Sequence, residues 1–146
     1  MSLSFSREFD APAVLVFRAH VEPDLFVKWM GPRGTTCHVD HFQAATGGSF
    51  RYTIAAGAST FTFFGSYHEV AAPHRIVHTW EFEADRGRPT MESLTFVELA
   101  DGRCRLDGRS IYTSAEHCVE TLAFDQSGEG MDENFARLDE LVATLG

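Results

Sequence analysis

Apolar and polar residues alternate from the start of the chain. Leu3, Phe5, Arg7 and Phe9 take turns with Ser4, Ser6 and Glu8, which predicts a strand over 3–9 ended by Asp10-Ala11-Pro12. Pro12 suits a first helical residue, and Val14, Phe17 and Arg18 follow at helical spacing. Pro23 to Trp29 predicts a second short helix, stopped by Gly31-Pro32. Strands are expected near 35–43, 49–56, 60–70, 74–84, 90–99 and 103–112, separated by Gly- and Pro-bearing turns such as Thr46-Gly47-Gly48, Ala72-Pro73 and Asp101-Gly102. The stretch 47–82 is the most informative, because its strands aim Phe, Tyr and Trp at one face. Such a face either fills a thick core or walls a cavity. After 112 the chain reads as a loop that includes His117-Cys118, with Gly128 and Gly130 at the mouth of the last helix. That helix carries Met131, Phe135, Leu138, Val142 and Leu145 on one stripe. A single amphipathic helix following an antiparallel sheet can hide its stripe only across the sheet, so the fold class is α+β. Trp80 and Phe135 are expected to meet at that junction.

Composition narrows the function classes. At 146 residues one domain spanning 1–146 is expected, with enough surface buried to fold without a staple or metal. Three cysteines, Cys37, Cys104 and Cys118, show no CxxC spacing, and no apolar leader is evident, which points to a reducing cytoplasm. No apolar run reaches the roughly 20 residues of a membrane span. The net charge of −9 makes nucleic acid a poor partner. Cys37-His38-Val39-Asp40-His41 looks ligand-rich, but Cys37 and His41 share a strand face about 13 Å apart, too far for one ion. No metal or other cofactor is expected.

Several motifs, in order, carry a likeness to one family: Asp10-Ala11-Pro12 before Val16-Phe17, Lys28-Trp29-Met30-Gly31-Pro32, Gly47-Gly48-Ser49-Phe50, Gly65 to Pro73, Ile76-Val77-His78-Thr79-Trp80, and Gly130-Met131 before the last helix. Over essentially its whole length the chain resembles bacterial members of the family related to the activator of the heat-shock protein 90 ATPase, within the START-like or birch-pollen-allergen-like (SRPBCC) superfamily. The resemblance implies a helix-grip fold, a curved antiparallel sheet around the C-terminal helix enclosing a hydrophobic cavity, with two short helices near the N-terminus. It fixes function less well, since the superfamily holds lipid carriers, cyclases and co-chaperones. The eukaryotic co-chaperone has a further N-terminal domain for which these residues leave no room, so chaperone contact is not expected. No catalytic residue carries over by motif.

His78 shares a strand face with Ile76 and Trp80, which makes it either a satisfied core residue or a polar anchor for a ligand hydroxyl or carboxylate. The large side chains pointed inward by periodicity are Trp29, Phe50, Tyr52, Phe61, Phe63, His78, Trp80, Phe96, Tyr112, Met131 and Phe135, the candidate ligand-binding set. The function expected is non-catalytic binding of a small hydrophobic or amphipathic molecule in a cavity between the sheet and the C-terminal helix, with homodimerisation left open. A cavity enzyme, a cyclase or hydrolase, is the alternative, and a chaperone-linked interaction module stands behind it. Two buried ionisable groups converging on the cavity would favour the enzyme.

Overall fold

The computed structural model describes residues 1–124 and 129–146, with side chains described up to 121 and from 132 onward. The elements in chain order are β1 (Ser2–Phe9), α1 (Ala13–Val21), α2 (Pro23–Trp29), β2 (Thr36–Phe42), β3 (Ser49–Ala56), β4 (Ser59–Ala71), β5 (Arg75–Phe82), β6 (Thr90–Glu98), β7 (Cys104–Ile111), α3 (Ala115–Phe124) and α4 (Glu129–Leu145). The strands form one curved sheet in the order β1-β7-β6-β5-β4-β3-β2, antiparallel at every junction. From β2 to β7 each strand pairs with the next, and β1 closes on β7 from the other end of the chain. The α+β helix-grip arrangement is therefore present.

Two elements differ from the sequence expectation. Residues around His117-Cys118 are helical, in α3, where the sequence reads as loop. The Ser114 hydroxyl accepts the His117 backbone N–H at 3.0 Å, the bond of a helix N-cap, so a capping serine was the available signal. The fifth strand ends at Phe82 because residues Glu83–Asp85 turn into a single 3₁₀ turn.

The helices cover one part of the concave face. The α4 residue Phe135 meets Phe5 and Phe9 of β1 at ring distances of 5.3 and 5.9 Å, and Trp29 of α2 at 6.4 Å. Arg7 lies under the same helix, its guanidinium 5.7 Å from the Phe9 and Phe135 rings and 3.0 Å from the Asp139 carboxylate. Arg137 ties α4 to the end of α2 through the Lys28 carbonyl at 2.9 Å, and Arg33 pairs with Glu140 at 2.6 Å. Trp80 has Phe63 as its ring neighbour instead of Phe135, so among the described residues the expected meeting of Trp80 with Phe135 does not occur. Phe135 is drawn to the β1 edge because α1 and α2 brace α4 there.

Candidate functional site

A polar row crosses the concave face between apolar neighbours. Antiparallel register sets His78 of β5 opposite Glu92 of β6, and Glu92 opposite Ser110 of β7. Strand alternation turns all three inward, His78 with Ile76 and Trp80, and Glu92 with Leu94 and Phe96. His78 Nε2 lies 3.1 Å from Glu92 Oε1, and the Ser110 hydroxyl lies 3.3 Å from Glu92 Oε2. His78 Nδ1 is 3.1 Å from the Thr79 carbonyl oxygen. Their side chains remain 14% and 18% exposed, so solvent reaches the pair.

The hydrogen bonds decide where the protons are. A carbonyl only accepts, so Nδ1 of His78 carries a proton, and the other nitrogen shares one with Glu92. Burial alone would lower the His78 pKa, but the hydrogen bond and charge of Glu92, with the Thr79 carbonyl, raise it above the ordinary value. Burial alone would raise Glu92, but His78, with smaller help from His20 and Ser110, holds it below the usual carboxylate range. Both shifts favour the charged pair, and both imidazole nitrogens are already engaged.

Behind the pair stands His20 of α1, with ring distances of 4.9 Å to Trp29 and 5.2 Å to Phe96. Its Nδ1 donates to the Val16 carbonyl at 2.8 Å. Burial lowers its pKa to about 4, so at neutral pH it is uncharged with Nε2 as its acceptor nitrogen. On the same face as Glu92, Thr90 is fully buried and its hydroxyl has no hydrogen-bond partner among the described residues. An unpaired buried hydroxyl costs about 1–3 kcal/mol, which marks this part of the interior as incompletely satisfied.

Aromatic rings surround the row on the β3–β5 side. The Phe50 ring lies 5.8 Å from both His78 and Tyr52, and Tyr67 lies 5.9 Å from His78. Tyr52 continues to Phe63 at 5.5 Å, and Phe63 continues to Trp80 at 6.1 Å and Phe82 at 5.4 Å. Phe61 joins at its edge, 6.2 Å from Phe82. Tyr52, Phe61, Phe63, Trp80 and Phe82 all stay partly exposed. Of the sequence-predicted set, Phe50, Tyr52, Phe61, Phe63, His78 and Trp80 thus form one contiguous patch. Trp29 and Phe96 are 2% exposed and Phe135 is buried, all three within packing under the helices. The Trp29 indole N–H is committed to the Ala19 carbonyl at 2.8 Å. Tyr112 sits at the end of β7 against His117, 5.4 Å between rings. The Met131 side chain lies outside the described ones. Sequence reasoning missed Glu92, Tyr67, His20 and Thr90; the alternation Glu92, Leu94, Phe96 was the signal for the first.

Two glycines shape this surface. A Cβ on Gly108 would lie 2.0 Å from the Phe5 ring, and one on Gly65 would lie 2.8 Å from the Phe50 ring and 1.9 Å from the Thr79 carbonyl oxygen. Each glycine is paired with the phenylalanine whose ring covers it. Gly65→Ala must displace backbone and so is expected to cost about 1–3 kcal/mol. It should also disturb the Thr79 carbonyl that holds His78. Urea melts of the variant against the parent test this, and an unchanged midpoint would show that the strand yields freely.

The two best-formed depressions among the described residues lie elsewhere and are open to solvent. The larger, about 460 Å³, is bordered by Arg75, Ser93, Thr95, Asp107 and Arg109 and reaches Phe5 and Gly108 at the β1–β7 end of the sheet, away from the ring patch, and the smaller, about 240 Å³, is bordered by Thr60, Thr62 and Glu83. Among the described residues no three His, Cys, Asp or Glu side chains gather as a metal site. No described helix is long and apolar enough to cross a membrane.

Comparison with known proteins gives the architecture its context. A protein from Rhodobacter sphaeroides superposes with a TM-score of 0.86 at 25% identity, over 99% of this chain and 93% of that one. Proteins from Chromobacterium violaceum (TM-score 0.80, 23% identity, 97% and 96% covered) and Silicibacter pomeroyi (0.77, 20%, 100% and 100%) share the fold. No curated protein is similar enough to count as a match. The family model described as Activator of Hsp90 ATPase homolog 1-like protein matches residues 10–143, and the chain belongs to that family.

Proposed function

We propose that the protein binds a small hydrophobic or amphipathic molecule, without turning it over, on the aromatic β3–β5 part of the concave face, in a reducing cytoplasm. One observation carries this reading. A contiguous set of partly exposed rings, Tyr52, Phe61, Phe63, Trp80 and Phe82, begins beside a solvent-reached ion pair. Partly exposed aromatic rings grouped around a few polar groups are the composition of small-molecule sites. The three cysteines are all free thiols, in keeping with that compartment. Because the best-formed depressions are on other surfaces, the ligand enters by displacing rings, and Trp80 is one of the partly exposed rings next to Phe63.

An environment-sensitive apolar dye should bind the folded protein saturably at neutral pH. Trp80→Ala should weaken or strengthen that binding while leaving the circular-dichroism melt cooperative. Absence of dye binding would defeat the reading.

A cavity enzyme is the second reading, favoured by the convergence of His78 and Glu92. The commitment of both His78 ring nitrogens counts against it, since no free lone pair remains on that ring to take a proton. Turnover of a displacing compound that is lost in His78→Gln would promote it.

A further inference from the structure

The chemistry of the ion pair restricts which ligand fits, if the binding reading above is right. His78 has nothing left to offer at its edge: Nδ1 faces the Thr79 carbonyl oxygen and Nε2 faces Glu92. Wherever the shared proton sits, neither nitrogen presents a free donor or a free lone pair. Glu92 is different. An ionised carboxylate has about four acceptor positions, and here one oxygen takes His78 and the other takes Ser110 at 3.3 Å. About two positions remain, on a side chain that is 18% exposed. The polar anchor of the face is therefore an acceptor.

We propose that Glu92 selects a neutral ligand that presents a hydroxyl on an apolar body, and discriminates against the matching carboxylate. A hydroxyl donates to the open positions of Glu92, and its own oxygen can accept from a donor such as the unpartnered Thr90 hydroxyl, which shares the face. A carboxylate would set two anions side by side, with the His78 charge already spent on Glu92. The net charge of −9 opposes anions at longer range. A purely apolar ligand would bury the remaining Glu92 positions without partners, which is costly for a charged group.

The test uses three probes of one shape, naphthylmethanol, naphthoate and methylnaphthalene, titrated at neutral pH into the isotope-labelled chain and followed by amide shifts. The alcohol should bind at least about 10-fold more tightly than the carboxylate, with shifts centred on His78, Glu92 and Ser110. In Glu92→Gln the alcohol-to-carboxylate preference should fall below about 3-fold, because the repelling charge is gone. Ser110→Ala, which frees a further carboxylate position and spares the ion pair, should keep the preference or widen it. Should Glu92→Gln not fold, that second variant still decides, since a narrowed preference overturns the proposal. Equal binding of all three probes, tighter binding of naphthoate, or a preference untouched by Glu92→Gln also overturns it, and each of these leaves the binding function intact. Failure of all three probes to bind removes the binding function itself.

Discussion

Truncating Trp29 to Ala should lower the unfolding free energy by about 3–5 kcal/mol, the range for a deeply buried aromatic. Trp29 is the junction of the helical layer. Its ring meets His20, Phe26 and Phe135, and its N–H binds the Ala19 carbonyl of α1. Removing it leaves a hole between three helices and strands an acceptor. Phe135→Ala should fall in the same range, since it empties the contact between α4 and β1. Trp80→Ala should cost less than either, because its ring is partly exposed. Urea unfolding of the three variants gives the order directly. A loss below about 1 kcal/mol at Trp29 would mean that the helices dock without this residue.

Acidification should destabilise the protein through His20, by up to about 3 kcal/mol between pH 6.5 and 4. Its folded pKa of about 4 lies below the ordinary 6.5. The unfolded chain therefore takes up the proton first as pH falls through that interval, and stability drops until both states are protonated. Above pH 6.5 the penalty vanishes. The neighbouring pair acts with other signs. The raised His78 contributes stability that is full below its unfolded pKa and fades as pH rises through its folded value. The lowered Glu92 contributes stability that is present above its unfolded pKa and is lost as pH falls through its folded value. The ion pair thus contributes most between the two unfolded values, where His20 is already withdrawing support. His20→Phe keeps a ring between Trp29 and Phe96 and removes the titration. Relative to the parent, the variant should gain up to about 3 kcal/mol on going from pH 7.5 to 4. A stability difference independent of pH would refute the assignment of acid sensitivity to His20.

Much of the sheet was legible because its determinants are local. Phe61, Phe63 and Tyr67, and Ile76, His78, Trp80 and Phe82, keep to every second position between turns that Gly or Pro impose, so strand positions and inward faces follow from period two although Phe64 and Val77 interrupt the alternation. The amphipathic stripe from Phe135 to Leu145 likewise required a sheet beneath it. The ion pair was not legible for the opposite reason. Glu92 is inward by its own alternation with Leu94 and Phe96, yet an acid on an apolar face reads as an error until its cross-strand partner is known. That partner, His78, is fixed by the β5–β6 register, which depends on how the chain turns between Phe82 and Thr90. Size misled in a different way. Trp29, Phe96 and Phe135 have the bulk of pocket residues, but which part of the concave face the helices cover depends on the docking of α4 against α1 and α2. That is a tertiary choice, with no counterpart in strand periodicity. In α3 a capping serine outweighed a weak apolar pattern.

The pairing of Phe50 with Gly65 makes one side chain a removable stopper. The ring rests on bare backbone, with the imidazole of His78 as its neighbour on one flank and Tyr52 on another. Volume here is set by the owner of the ring and hardly at all by the strand beneath it. Exchanging Phe50 for a smaller residue would open a hollow the size of a phenyl group at the edge of the charged pair, while the main chain need not move. Related chains could resize the binding surface in one substitution by this route, provided the glycine across the strand is kept.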